Sequence, residues 1–209
     1  MSGSDLKSDA ILELARRYHY NAQHAHQVEC LAGTLFMELQ PLHRLGAEER
    51  KLLEFAAVLH DIGYFVTSRG HHRHALQMIM LEPLTPFTRQ EKGIIANVAR
   101  YHRKVLPTIE HTAYAILTID DRVKVNLLAS ILRLADALDR SHQSLVTELS
   151  CDIRHDHIMI HITATGDMVE EKLALSRKAD MFQEIFQREV QLNIRCTDTP
   201  KTELSPVMI

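Results

Sequence analysis

The sequence lacks the features that identify several large classes of protein. It contains no tryptophan, and aromatic residues make up only 5% of the chain. The cysteines are odd in number, far apart and without a CxxC pair: Cys30, Cys151 and Cys196. This pattern suggests no disulfide framework, so we expect a protein of the reducing cytoplasm.

Long apolar segments and a strong charge of one sign are also missing. No apolar run approaches the ~20 residues that a membrane-spanning helix needs. The N-terminus is polar through Asp9 and lacks the apolar region of a signal peptide. The formal net charge of −3 gives no basic footprint for nucleic acid. We therefore expect neither a membrane nor a nucleic acid duplex as partner.

The composition is that of a globular protein, with an excess of histidine. Hydrophobic residues make up 45% of the 209 residues and charged residues 24%, which is ordinary for a folded domain. The length suits one medium domain, or one domain with a small annex. The 14 histidines need an explanation, either metal binding or surface exposure.

Hydrophobic periodicity divides the chain into a helical body and a smaller mixed part. A period of 3.6 residues predicts helices over residues 5–18, 21–40, 47–61, 71–81, 89–103 and 121–142. Strands are then predicted over 146–153 and 157–162, a helical stretch over 168–189 with a break near Ala179, and a last strand over 190–194. The predicted fold is mainly α: a helical bundle over 1–142, a small α+β annex of ββαβ order over 143–197, and a flexible tail over 198–209.

The segment Phe55–Tyr64 places a histidine beside an aspartate at the end of an apolar run. At helical spacing His60 shares a face with Leu53 and Ala57, so its side chain is predicted to be buried. Asp61 lies about 100° further round the same helix. A divalent metal would offset the cost of burying this pair, whereas a capped helix end with a packed core histidine is the plainer alternative.

Other polar residues also fall on, or at the edge of, faces that their helices must bury. The resulting set of six is spread over five predicted helices: His24, His60, Asp61, His71, His102 and Asp136. One buried histidine is usually a packed core residue, but four in one small core are costly unless they converge. We therefore predict that the six bind one or two divalent ions. Their nitrogen and oxygen atoms suit Mn, Fe, Co, Ni or Zn, with Mg as a further option.

The spacing of these residues resembles that of a known superfamily. The order His24, then His60-Asp61, then Asp136, each on its own helix, is similar to that of the HD-domain metal-dependent phosphohydrolases. His71 and His102 match two further histidines of the dinuclear members. More closely, five stretches resemble the C-terminal half of the exopolyphosphatase/guanosine pentaphosphatase family: 24–28 (HAHQV), 60–64 (HDIGY), 71–74 (HHRH), 100–104 (RYHRK) and 132–139 (LRLADALD).

The resemblance implies an HD-type metal-binding helical domain and extends over nearly the whole chain, including the annex. Family members hydrolyse polyphosphate or pppGpp with an actin-like domain that precedes this region, and the sequence holds no counterpart of that domain. Their helical part is generally assigned to polyphosphate binding and dimerisation, often with degenerate HD ligands. All six ligands are present here, which favours a working metal centre, and a homodimer is the family expectation.

Two functions follow as hypotheses. The first is a metal-dependent phosphohydrolase that acts on a phosphate ester or anhydride, such as a nucleotide or short polyphosphate, with Asp61 positioning the attacking water. The residues expected to contact phosphate are His72, His74, Arg103, Lys104 and Arg133. The second is a non-catalytic regulatory module that binds polyphosphate or a nucleotide. A dimerisation protein whose histidines bind nothing is a third alternative.

Overall fold

The computed structural model describes residues 3–197 and shows a helical bundle followed by a small sheet. The α-helices, in chain order, are α1 (Gly3–Arg17), α2 (Ala22–Glu38), α3 (Gln40–His43), α4 (Ala47–Leu59), α5 (His71–Leu81), α6 (Arg89–Arg100), α7 (Thr112–Ala115), α8 (Ile119–Ala137), α9 (Val169–Lys178) and α10 (Asp180–Phe186). The strands are β1 (Val146–Ile153), β2 (His157–Ala164) and β3 (Glu189–Cys196). One turn of 3-10 helix, Ile62–Phe65, lies between α4 and α5. The predicted tail over 198–209 lies outside the described residues.

This architecture confirms the predicted fold class, a mainly helical protein with a small C-terminal sheet. β1 and β2 form an antiparallel hairpin, and β2 pairs with β3 in parallel. Because parallel neighbours need a crossover, α9 and α10 connect β2 to β3. In β2 the alternating residues Ile158, Ile160 and Ile162 are buried, so one face of the sheet belongs to the core. Among the described helices, none combines the length and apolar character that a membrane span requires.

Local sequence signals decide where several helices begin. Asn21 caps α2 by accepting from the backbone N–H of His24. Thr88 and Glu91 form the predicted capping box of α6, and Thr118 caps α8. Side-chain acceptors at these positions satisfy backbone donors that have no partner within the helix. The caps therefore fix the helical phase, which determines the side chains that each helix buries.

Several helices end earlier than the periodicity predicts, and these ends lie at the candidate site. α4 ends just before His60 and Asp61, which lie in the turn that follows. α6 ends two residues before His102, and α8 ends at Ala137. The structure also contains two helices that were not predicted, α7 and α3, the latter with Pro41 in its first turn. Four residues are too few to show a helical period.

The sheet and its helices share one apolar core with the bundle. Gln27 of α2 donates to the carbonyl oxygen of Val146 at 2.8 Å, and Glu38 accepts from the backbone N–H of Cys151 at 2.8 Å. These bonds hold β1 against α2. The division at residue 142 stays a proposal about how the sequence is organised, since the packing continues across it.

A close backbone approach at Gly63 generates the first prediction. A β-carbon here would lie 2.0 Å from the carbonyl oxygen of His71 and 2.7 Å from the backbone nitrogen of Ala75. Because these are backbone atoms of α5, Gly63→Ala would force α5 away from the 3-10 turn. We expect the free energy of unfolding, measured by urea denaturation, to fall by about 2 kcal/mol or more.

Gly46→Ala is the matched control for this substitution. Its β-carbon would meet only the flexible side chain of Glu49, at 3.5 Å. The expected loss is below about 1 kcal/mol, the size of a weakened N-cap. Equal losses for the two variants would contradict the close approach at Gly63.

Candidate metal centre

The six residues predicted to bind metal meet at one place, where α4 and α6 end and α5 begins. The four imidazoles are at most 1% exposed. The Asp61 carboxylate lies close to Nε2 of all four, at 3.1 Å from His71, 3.4 Å from His60, 3.6 Å from His102 and 3.8 Å from His24. Asp136 approaches from α8, with Oδ1 3.6 Å from Nε2 of His24. The structure therefore brings all six side chains together.

Helix ends hold the opposite nitrogen of two of these rings. Nδ1 of His60 lies 2.6 Å from the carbonyl oxygen of Ala57, and Nδ1 of His102 lies 2.6 Å from that of Ala99. Both carbonyls belong to the last turn of a helix, where the regular backbone donors run out. The early ends of α4 and α6 thus supply the acceptors that orient these imidazoles.

The remaining two rings are held in the same way by other acceptors. Nδ1 of His71 lies 3.0 Å from the carbonyl oxygen of Ser68, and Nδ1 of His24 lies 2.8 Å from Oδ2 of Asp139. The other oxygen of Asp139 accepts from the backbone N–H of Ser144 at 2.7 Å. Since a carbonyl or carboxylate oxygen only accepts, we assign the proton of each ring to Nδ1. In the neutral ring that a metal ion requires, each Nε2 presents a lone pair to the centre.

This set of donor atoms fits a divalent transition-metal ion. Nε2 of His24 and Nε2 of His60 are buried without a hydrogen-bond partner, an arrangement that is rare in folded proteins. Within residues 3–197, candidate ligand atoms within 4.8 Å of one another form three groups: His24, His60 and Asp136; His24, Asp61 and His142; and His60, Asp61 and His102. Neutral imidazole and carboxylate suit Mn, Fe, Co, Ni or Zn.

The carboxylates make the centre attractive to positive charge. Burial would raise the pKa of Asp61, but the surrounding imidazoles hold that pKa well below its usual range. Burial would also raise the pKa of Asp136, but Lys178 and the imidazoles lower that pKa by more. For His24, burial would lower the pKa, but Asp136 and Asp139 raise it to about 9. Without an ion His24 is therefore protonated near neutral pH, and it would release that proton on binding a metal. Both central carboxylates are therefore ionised near neutral pH.

The residues predicted to contact phosphate differ in where they lie. Arg103 is half-buried, with Nη1 donating to Nε2 of His71 at 3.3 Å. His72 is buried, and burial together with neighbouring positive charges lowers its pKa to about 4. It is therefore neutral near neutral pH. His74 is half-buried and Lys104 is exposed, and no contact described for either side chain reaches the six residues.

Arg133 has a different role from the predicted one. Its side chain is 2% exposed, and Nη2 donates to both carboxylate oxygens of Asp180, at 2.8 and 3.1 Å. Nε donates to the carbonyl oxygen of Lys178 at 3.3 Å, and Nη1 to that of Tyr101 at 3.4 Å. The guanidinium joins α8 to the α9–α10 junction, so the structure does not offer it to phosphate. The helical period places Arg133 beside Asp136 but cannot show the annex that covers it.

Four further residues surround the six, and the sequence patterns did not assign them to the site: Tyr64, Asp139, His142 and Lys178. His142 stacks on His24 with 3.7 Å between the ring centroids, and Tyr64 stacks on His71 at 4.0 Å. Lys178 donates to Oδ2 of Asp136. Asp139 and Tyr64 lie in stretches that resemble the exopolyphosphatase family, 132–139 and 60–64, but the patterns gave neither residue a role at the centre. The others lie in turns or in the annex, where no period links them to the centre.

Comparison with known proteins relates this domain to phosphohydrolases. The chain belongs to the Ppx/GppA phosphatase family, because the family model described as "Ppx/GppA phosphatase, domain III" matches residues 6–183. A guanosine-5'-triphosphate,3'-diphosphate pyrophosphatase of Vibrio parahaemolyticus serotype O3:K6 (strain RIMD 2210633) is 27% identical over 169 residues, which is 77% of this chain and 32% of the relative. The chain thus spans about a third of the relative's length. The match confirms the resemblance to a C-terminal domain of the exopolyphosphatase family.

The two hydrogen bonds that the Asp139 carboxylate accepts lead to a prediction about stability. Asp139→Ala leaves Nδ1 of the buried His24 and the backbone N–H of the half-buried Ser144 without their acceptor. Each unsatisfied donor carries a desolvation cost, so we expect the free energy of unfolding to fall by about 2–4 kcal/mol. Urea denaturation in the presence of a chelator measures this loss without any contribution from bound ions.

The control for this variant is Asp167→Ala, at an exposed aspartate in the loop before α9. Its unfolding free energy should stay within about 0.5 kcal/mol of the wild type. An Asp139→Ala protein that is as stable as this control would show that the carboxylate does not hold the two donors.

Proposed function

We propose that this chain is an HD-type metal-dependent phosphohydrolase that acts on a phosphate ester or anhydride, such as a nucleotide or a short polyphosphate. The observation that supports it is the meeting of four imidazole Nε2 atoms with two ionised carboxylates. A packed core would not need four buried imidazoles that share one orientation toward the same carboxylates. Membership of a phosphatase family gives the proposal its reaction class.

Two overlapping sets of ligands could hold one or two divalent ions. His24, His60 and Asp136 form one set, and His60, Asp61 and His102 form another. His71 lies beside the second set, with its Nε2 3.4 Å from Nε2 of His102. A bound divalent ion would polarise a phosphoryl oxygen and lower the pKa of a water molecule.

The chain's own residues have separate tasks in this proposal. Asp61, ionised and in contact with all four imidazoles, would accept a hydrogen bond from the attacking water and orient it. Arg103 would donate from its guanidinium to a phosphate oxygen, because it lies beside His71 and keeps part of its side chain exposed. His72 is neutral, so it can donate a hydrogen bond to phosphate without adding charge. His74 and Lys104 would contact only a longer phosphate chain.

A regulatory binding module is the second candidate function. One observation favours it: the matching family model describes domain III of the Ppx/GppA phosphatases, and the resemblance to this part of the family implies polyphosphate binding. In this case the same centre and Arg103 would bind polyphosphate or a nucleotide without turnover. Binding would then weaken steeply with added salt, because it depends on charge. Affinity that does not change between low and high salt would argue against this candidate.

Association and location belong to the same proposal. The family resemblance suggests a homodimer, and the three unpaired cysteines suggest the cytoplasm. Sedimentation equilibrium of the purified chain tests the first point, since a mass of one chain at all concentrations would contradict it. The partner expected for the site is a phosphate-containing small molecule or polyphosphate.

Hydrolysis of p-nitrophenyl phosphate and bis(p-nitrophenyl) phosphate tests the enzymatic proposal. We expect turnover with added Mn, Ni or Mg, its loss in EDTA, and its return when the ion is restored. Asp61→Asn should lower kcat by about a hundredfold or more, because the neutral amide is a weaker metal ligand and a weaker hydrogen-bond acceptor for the attacking water than the carboxylate. Asp167→Asn, at the exposed position before α9, should leave kcat unchanged.

Elemental analysis of the purified protein accompanies the assay. Divalent metal near one or two ions per chain, together with turnover, supports the hydrolase. Metal without turnover on nucleotides, short polyphosphates or these esters would favour the binding module. A protein that holds no metal after incubation with all the ions named would contradict both roles of the centre.

A further inference from the structure

Lys178 reaches the candidate metal centre from the annex rather than from the bundle. It is the last residue of α9, and its Nζ donates to Oδ2 of Asp136. The side chain is 16% exposed, so the ammonium is neither sealed in the core nor free on the surface. Oδ2 of Asp136 also lies 4.0 Å from Nε2 of His102. The ammonium is therefore positioned within the group of six residues.

The fold fixes the position of Lys178 from both ends of α9. At its start, the buried Glu171 accepts from the backbone N–H of Ser141 at 2.8 Å, in the turn after α8. At its end, Arg133 donates to the carbonyl oxygen of Lys178 and to the carboxylate of Asp180. A helix held at both ends keeps its last side chain in one place. Arg133 thus acts on the centre as a positioning residue, through Lys178.

The ammonium of Lys178 has donors left after its bond to Asp136. A lysine side chain carries three N–H donors, and in the described part of the chain the hydrogen bonds of Lys178 Nζ comprise the one to Asp136. Burial and the neighbouring His60 lower the pKa of His102, and the charge of Lys178 adds a smaller effect in the same direction. A cation with spare donors beside a partly open site is suited to phosphate oxygens.

We propose that Lys178 contacts phosphate oxygens of the ligand, so that the annex completes the site built by the bundle. The identity of the site rests on the proposed function, but the contact itself does not require turnover. In this account Lys178 performs the task that the sequence assigned to Arg133. The competing account is that Lys178 only neutralises Asp136.

Thermal unfolding of the full chain with increasing inorganic phosphate tests the contact. A ligand that binds the folded state raises the unfolding temperature, and the phosphate concentration at which the rise begins reports its affinity. Potassium chloride keeps the ionic strength constant. We expect Lys178→Met to weaken the apparent affinity for phosphate by about tenfold or more, the loss of one charge-assisted bond. Lys178→Arg should retain most of the affinity, because the guanidinium can still donate to phosphate.

Lys172→Met is the matched control, since Lys172 is an exposed lysine on the same helix. Its affinity for phosphate should equal that of the wild type. Lys178→Gln repeats the comparison if Lys178→Met does not fold, because its amide keeps a donor for Asp136 and removes only the charge. Elemental analysis should show the same metal content in all these variants.

Three results would overturn the proposal. Wild-type affinity for phosphate in Lys178→Met and Lys178→Gln would leave Lys178 as a counter-ion of Asp136 alone. If the Lys178 variants lose bound metal together with their affinity for phosphate, the role of Lys178 is to position a metal-binding residue. A wild-type protein that phosphate does not stabilise would also exclude the contact. Hydrolysis of nitrophenyl esters decides the proposed function separately, so the two failures are distinguishable.

Discussion

The orientation of four imidazoles by their Nδ1 atoms is the constraint on which the rest of the centre depends. Each ring is held on one side by a carbonyl or by Asp139 and faces a carboxylate on the other. If any of these acceptors moved, the ring could change tautomer or rotate, and its lone pair would no longer point inward. The carboxylates Asp61 and Asp136 are stable as buried anions only because positive or polarised groups surround them. The oriented imidazoles therefore stabilise the two carboxylates, and the carboxylates in turn hold the imidazoles in place.

The bundle provides this constraint through the ends of its helices rather than through their middles. His60 and His102 each follow the last turn of a helix and donate to a carbonyl that the helix leaves open. His71 is the first residue of α5, and Gly63 lets α5 approach the 3-10 turn closely enough to bring it in. A β-carbon at Gly63 would therefore disturb the site as well as the stability. Local backbone chemistry, core packing and the centre are coupled at this one end of the molecule.

Helical period alone could predict which side chains face inward. The stripe of α2 separates His24, which is buried, from His26, which is exposed and pairs with Glu29. The same reasoning predicted burial for His60, His71, His102 and Asp136, and it holds for His60 and His102 although both lie just past the ends of their helices. The fold class followed from the change of period near residue 142, where the pattern turns from helical to alternating.

Contacts between distant elements could not be predicted in this way. Arg133 lies on the expected side of α8, but α9 and α10 cover it, and Asp180 binds its guanidinium. The places of Lys178 and His142 depend on the crossover of the sheet and on a turn with positive φ at residue 142. Neither feature has a repeating signature in the sequence. The limit is therefore physical: periodicity reports what one element buries, and only the packed fold reports what covers it.

Anomalous X-ray diffraction tests the central claim most directly. Crystals of the full chain, grown with manganese and measured at its absorption edge, should show a peak between Asp61 and Asp136. The peak should lie about 2.0–2.2 Å from Nε2 of the nearest histidines, as expected for such ligands. Crystals that contain manganese but show no anomalous peak among these six side chains, or show peaks only on the protein surface, would contradict the account.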